Sequence, residues 1–258
     1  MKIHLYGEEE DRPLRRRNRL IPDPLPKIGQ HLLVCAPTGS GKSQLITNLL
    51  TRPYRGVFDK IWFYHPQWDD DMYRRVVGVP PEQVIREYSD ESLDAIMDDV
   101  KRDRDLQKPR FDLIVLDDSM ETWRTSRKLN DFLTWCRHKG ITVWASIQYL
   151  HGCMSKLARQ QFTSIIAFAS SKEADIKLLS ELSPAGTRPF YDALEQVRAA
   201  NRRDGHTYHT LHLNSRHPQT FFQDLNEPIT PHGFEPQGSS QASGSQDPPA
   251  EVGEDADC

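Results

Sequence analysis

The chain has 258 residues, a net charge of −4 and 27% charged residues, enough for one α/β domain with a full core or two very small ones. No apolar run reaches the ~18 residues of a membrane span, and the opening "MKIHLYGEEEDRPLRRR" has no apolar signal core. Four cysteines (Cys35, Cys136, Cys153, Cys258) form no CxxC pair, which argues against a disulfide framework or zinc knuckle and points to a reducing, intracellular, non-secretory setting.

Residues 1–28 read as a basic, proline-rich arm. Pro13, Pro22, Pro24 and Pro26 oppose regular structure, and five arginines fall within residues 12–19. Such a run is either a solvated face or a contact for nucleic acid or a partner. "HLLVCAP" (31–37) is a short apolar strand that runs into a glycine-rich loop, with a helix expected from near Lys42. "KIWFYHP" (60–66) is a second strand, ended by Pro66. In "ESLDAIMDDV", Leu93, Ile96, Met97 and Val100 fall on one helical face.

"FDLIVLDD" (111–118) is a continuous apolar strand that ends in two carboxylates; Asp112, at its start, is expected to face solvent. In "SRKLNDFLTWCRHKG", Leu129, Phe132, Leu133 and Cys136 repeat the helical spacing, and Gly140 suits the position past a helix end. "ITVWASIQ" (141–148) and "FTSIIAFA" (162–169) are two more buried strands. "ADIKLLSEL" reads as a helix, and "HTYHTLHL" (206–213) as a final strand. Residues 229–258 hold six acids and no lysine or arginine, a low-complexity tail that buries too little to order itself. The expected division is thus an arm at 1–28, an α/β domain at 29–228 and an acidic tail at 229–258.

Near-continuous apolar strands alternating with helices predict a mainly parallel sheet covered by helices on both faces. Ligands of such sheets bind beyond the carboxyl ends of the strands. The loop after the first strand reads A-P-T-G-S-G-K-S from Ala36 to Ser43, close to the phosphate-binding pattern G-x-x-x-x-G-K-[ST] with Ala36 in the first glycine position. Pro37, Thr38, Gly39, Ser40, Gly41, Lys42, Ser43 and Gln44 would frame the nucleotide phosphates at a helix N-terminus, with Thr38 to Ser43 supplying backbone N–H groups. Lys42 would reach the β- and γ-phosphates of ATP, and Ser43 would bind Mg²⁺. Asp117, on a strand beside the loop strand, would join the Mg²⁺ shell. Asp118 either orients an attacking water or opens the next loop. Gln148 either holds that water or closes its strand.

Arg137 either complements a helix C-terminus or serves as an arginine finger in trans; Arg159 and Arg124 are further candidates. Lys128, Arg127, Lys156 and Arg159 could grip DNA phosphates. His206, His209, His212 and His217 invite a metal reading. On one strand His206 and His212 would share a face, however, and no cysteine or carboxylate completes a set, so an ordinary polar strand is expected. "GTRPFYDALEQVRAANRRDG" (186–205) could be a kinase-like lid or an outer helix. The chain is too short for a second helicase motor domain, and no LSGGQ-like signature is present.

Together "APTGSGKS", "LIVLDDSM" and "RHKGITVWASIQYLHG" resemble the DNA-packaging ATPases of double-jelly-roll and poxvirus-type DNA viruses, including virophage, Polinton-like and adintovirus-like relatives, in the FtsK/HerA superfamily. The resemblance spans roughly residues 28–185. It implies a RecA-like P-loop NTPase of the ASCE type that forms a pentameric or hexameric ring. Its implied work is ATP-driven movement of double-stranded DNA, without base readout, into a preformed capsid through a vertex or portal-like partner. Lys42 and Ser43 would be Walker A residues, Asp117 and Asp118 Walker B, Gln148 the sensor and Arg137 the trans arginine. The implied setting is the host cytoplasm or nucleus and the virion. A small-molecule phosphoryl transferase and a nucleotide-gated scaffold stand as alternatives.

Overall fold

The computed structural model describes residues 12–65, 73–105, 110–117, 123, 126, 128–169, 171–206 and 208–232. Helix α1 is Arg12–Asn18, and strand β1 is His31–Cys35. Then come α2 (Lys42–Thr51), β2 (Lys60–Tyr64), the short β3 (Val84–Ile85) and α3 (Asp90–Asp105). Strand β4 (Asp112–Asp117) is followed by α4 (Lys128–His138), β5 (Thr142–Ile147), α5 (Lys156–Arg159) and β6 (Phe162–Phe168). The rest is α6 (Glu173–Ser180), α7 (Thr187–Asp204), β7 (Thr210–Asn214), β8 (Phe221–Gln223) and β9 (Glu227–Pro228).

The strands form one sheet in the order β3-β2-β4-β5-β1-β6-β7-β8-β9. From β3 to β6 every pairing is parallel; β7, β8 and β9 extend the sheet antiparallel. Both faces are covered, as the apolar runs predict. In β1, Leu33 and Cys35 face one core while Leu32 and Val34 face the other. In β4 the same split separates Ile114 and Leu116 from Leu113 and Val115. The first core is closed by α3 (Leu93, Ile96), α4 (Phe132, Leu133), α6 (Ile176, Leu179) and α7 (Phe190, Leu194). The second is closed by Ile46, Leu49 and Leu50 of α2, with Tyr54 set edge-on to Trp144 at 4.8 Å.

Three expectations are revised, and one open alternative, at residues 186–205, is decided for the outer helix. The prolines do not keep residues 12–28 irregular: α1 forms, and Ile21, Leu25 and Ile28 are buried in the second core. Burial of each aliphatic side chain contributes about 1.5–3 kcal/mol, enough to hold the segment down. Pro24 and Pro26 offer carbonyls to Asn214 Nδ2 and Tyr54 Oη, both at 2.7 Å. Asp112 is buried, not solvent-facing, because Arg110 Nε donates to it at 2.7 Å and Trp62 Nε1 at 3.2 Å. Residues 187–204 are a sheet-packed helix that buries Phe190, Leu194 and Val197, which leaves no lid. The last long strand starts at Thr210, so His206 lies before it and His212 within it.

Candidate functional site

The phosphate loop follows directly from β1. Gly39 and Gly41 have φ of 76° and 96°, in the left-handed region where only glycine is unstrained. Gly41 caps α2 without a side-chain bond to the first turn, so those N–H groups face outward at the positive helix end. Ser40 Oγ donates to Pro37 O at 2.7 Å and tightens the turn. Lys42 is buried, and its ammonium bridges the loop's own carbonyls, Ala36 O at 2.9 Å and Pro37 O at 3.2 Å. Both bonds hold the ammonium against the loop.

Sheet order fixes what surrounds the loop. Strand β5, not β4, lies beside β1: Cys35 pairs with Ile147, and Ala36 N donates to Ile147 O at 3.1 Å. The expected adjacency of the Asp117 strand to the loop strand is therefore corrected by one strand. Asp117 pairs with Ser146 across β4 and β5, so loop, Asp117 and Gln148 still meet at one sheet edge. Thr38 Oγ1 donates to Gln148 Oε1 at 2.8 Å, which binds the phosphate loop to the residue ending β5.

Asp117 is buried, at 1% exposure, and its carboxylate is bound. Tyr73 Oη donates to Oδ2 at 2.9 Å, and His65 Nε2 lies 3.6 Å from the same oxygen. Neither partner was anticipated. Tyr73 stands outside every motif, and its place follows from the turn at residues 73–77 that packs it on Phe63, ring centroids 4.3 Å apart. Ser171 and Asp175 were also missed. Ser171 Oγ donates to Cys35 O at 3.2 Å. Asp175, fully enclosed, accepts from Leu150 N at 2.7 Å and His151 N at 2.9 Å, which pins the loop just after Gln148 to α6. An acid in a first helical turn is so ordinary that nothing in the sequence marks it out. Burial, above all, pushes the Cys35 thiol up to about 12, so this neighbour of the loop stays a thiol at neutral pH.

Asp118, Arg124 and Arg127 lie outside the described residues. Arg137 is exposed at the end of α4, beside His31, which opens β1. That is the amino edge of the parallel strands. A five-residue strand spans roughly 16 Å, so Arg137 stands across the sheet from its own phosphate loop. Arg159 is tied down, Nη1 donating to Met154 O at 2.9 Å.

The donor set suits a nucleotide with a hard cation. It offers a lysine, a hydroxyl at Ser43, a buried carboxylate at Asp117 and uncapped helix N–H groups. Lys42, bonded to the Ala36 and Pro37 carbonyls of its own loop, brings a buried positive charge to the loop.

The sheet order, the loop after β1 and the flanking helices are those of a RecA-like P-loop ATPase fold. Among solved structures it is shared by viral DNA-packaging ATPases. The genome packaging NTPase B204 of Sulfolobus turreted icosahedral virus 2, in complex with ATP-gammaS, matches with a TM-score of 0.57 and 16% identity over 78% of this chain and 98% of that one. The DNA-packaging ATPase B204 of Sulfolobus turreted icosahedral virus matches at a TM-score of 0.52, 16% identity and the same coverage. The cytoplasmic domain of the type VII secretion ATPase EccC of Thermomonospora curvata matches at 0.52 and 15% identity, over 85% of this chain and 28% of that one. No family model and no curated protein sequence matches the chain. At these identities the likeness is one of fold.

Proposed function

We propose that this chain is an ATP-hydrolysing motor that drives double-stranded DNA into a preformed viral capsid. It works as a ring of copies whose sites are completed between protomers, docked on a capsid vertex or portal-like protein in the host cell. The observation that carries the reading is the meeting of the Lys42 loop, Asp117 and Gln148 at one sheet edge, on a fold shared with viral packaging ATPases.

Lys42 and the first-turn N–H groups of α2 bind the phosphate chain. Ser43 and Asp117 would hold Mg²⁺, which neutralises phosphate charge and orients the terminal group when bound. Gln148, steadied by Thr38, positions the attacking water, and Asp118 accepts its proton. Arg137 stands too far from its own loop to act there. From the exposed far edge it would reach a neighbouring copy's terminal phosphate, so loss of that phosphate would be felt across the contact. Lys128, Lys156 and Arg159 would grip DNA through phosphates alone, which makes binding salt-dependent. Among the described residues no helix is long and apolar enough to cross a membrane.

ATP turnover of the wild type and Lys42→Ala, with and without duplex DNA, across protein concentration, tests this. Turnover per chain should rise with concentration and with DNA, and Lys42→Ala should abolish it. Arg137→Ala chains should bind ATP yet suppress wild-type chains on mixing. Flat turnover on dilution to monomer would refute the shared site. Rapid transfer to a nucleoside would mark a kinase, and binding without turnover a scaffold.

A further inference from the structure

The histidines near the last long strand are reorganised by the fold. Asp204 ends α7, and Gly205 turns the chain at φ 70°. His206 follows, and His209 stands immediately before β7. His212, inside β7, is buried against Ser164 Oγ at 2.8 Å and leaves the group. Asp204 replaces it: one ligand atom each of Asp204, His206 and His209 lies within 4.8 Å of the others.

A fourth residue comes from the turn after β8. Asp224 accepts from Thr210 N at 2.9 Å through Oδ1, while Oδ2 is bonded to His209 Nδ1. That contact directs His209 Nε2 toward Asp204 Oδ2, 2.8 Å away. The His206 ring lies 4.6 Å from that of His209, at 42°. We propose that Asp204, His206 and His209 form a binding site for a divalent first-row transition ion, best suited to zinc, with Asp224 as the outer carboxylate that orients His209.

Three features support it. Imidazole paired with carboxylate is the donor chemistry of zinc and its neighbours, not of magnesium. A carboxylate on the far nitrogen of a ligating histidine fixes its tautomer and raises its basicity. The geometry is also close. Zinc binds nitrogen and oxygen at ~2.0–2.2 Å, which separates tetrahedral ligands by roughly 3.4 Å, so the 2.8 Å contact opens only slightly. As a plain ion pair, His209 between two carboxylates is already complete and has no use for His206.

The ion would staple the end of α7, the start of β7 and the β8–β9 turn. These sit at the same sheet edge as the phosphate loop: Thr210 pairs with Phe168, one residue past the Ala167 that pairs with Cys35. Strand spacing of ~4.8 Å puts β7 about 10 Å from β1. The staple would stiffen the antiparallel flank beside the nucleotide edge, with remaining coordination positions open to water.

Zinc titration of the full chain by calorimetry, without nucleotide and with excess Mg²⁺, tests the site. One zinc per chain should bind. His206→Ala and Asp204→Asn should each weaken binding about tenfold or more, and Asp224→Asn about ten- to a hundredfold. His206 is half-buried, and its one hydrogen bond among the described residues is accepted from Tyr208 N at 3.3 Å, so its removal leaves the fold intact. Zinc should raise the melting temperature of the wild type and not that of His206→Ala or His206→Gln. X-ray absorption should show nitrogen and oxygen ligands only. Absence of binding, binding unchanged in His206→Ala, or sulfur around the ion would overturn the site.

Discussion

Thr38 Oγ1 and Gln148 Oε1 stand 2.8 Å apart, so the phosphate loop and the tip of β5 are joined by a direct hydrogen bond. We propose that the Gln148 amide, steadied by this bond, holds the attacking water. Gln148→Ala should lower the turnover number about a hundredfold, as loss of a transition-state donor does, and move the KM for ATP far less. Thr38→Val removes only the positioning bond, worth about 1 kcal/mol, and should cost roughly fivefold. Steady-state ATPase kinetics separate the two. A Gln148→Ala enzyme with an intact turnover number would remove Gln148 from the chemistry.

Tyr73 supplies the described hydrogen bond to the Asp117 carboxylate. Its ring also packs on Phe63, so Tyr73→Phe deletes the hydroxyl and keeps the packing. A bond to a buried charge is worth about 1.5–3 kcal/mol. The variant should melt several degrees lower without nucleotide and need several-fold more Mg²⁺ for half-maximal turnover. An unchanged Mg²⁺ requirement would confine Tyr73 to stability.

Asp175 faces two backbone donors, Leu150 N and His151 N, from inside the protein. Asp175→Ala strands the buried Leu150 N–H, at about 1–3 kcal/mol, removes the acceptor of the part-buried His151 N–H, and frees the loop after Gln148. Asp175→Asn keeps one acceptor and should recover most of the stability. Turnover should fall more than ATP affinity in both variants, because in the proposed mechanism the Lys42 loop holds ATP while Gln148 holds the water. Equal losses in the two quantities would show that the whole site, and not the β5 tip, depends on Asp175.

How much of this was legible depends on whether the signal was local. Strands β1, β4, β5 and β6 are continuous apolar runs buried on both faces, so pattern alone placed them within a residue or two. The spacing of Gly39, Gly41 and Lys42 marks the turn between β1 and α2, and Gln148 lies just past the end of β5. Tyr73 and Asp175 act through partners 44 and 25 residues away, which no local pattern encodes, whereas Asp204 lies close enough in sequence to His206 and His209 for a local pattern to show it. The arm departs from expectation because Pro13 is tolerated in the first turn of α1, and because Ile21, Leu25 and Ile28 bury themselves by tertiary contact. The place of β5 between β1 and β4 is likewise a property of the sheet, invisible along the chain.

His31 and His212 make folding stability depend on acid. His31 Nδ1 accepts from Val143 N at 3.2 Å and Nε2 faces Leu133 O at 3.1 Å, a pattern only the neutral ring satisfies. Burial first, and the nearby Arg137 charge against the bond to Leu133, bring its pKa down to about 4. Burial brings that of His212 to about 3. The ordinary value is about 6.5, so the unfolded chain takes up protons first. Stability is therefore complete above pH 6.5, is lost as pH falls toward 4 for His31 and toward 3 for His212, and levels off below. Each histidine adds a slope of at most about 1.4 kcal/mol per pH unit. Urea midpoints measured from pH 7 to pH 4.5 should fall less steeply in His31→Gln and in His212→Gln than in the wild type, by about one proton each. The difference between proteins is the informative quantity, because acids common to all three titrate in the same range. Parallel curves for the wild type and both variants would mean that these rings accept protons inside the fold, and that the neutral bonding pattern of His31 does not hold in solution.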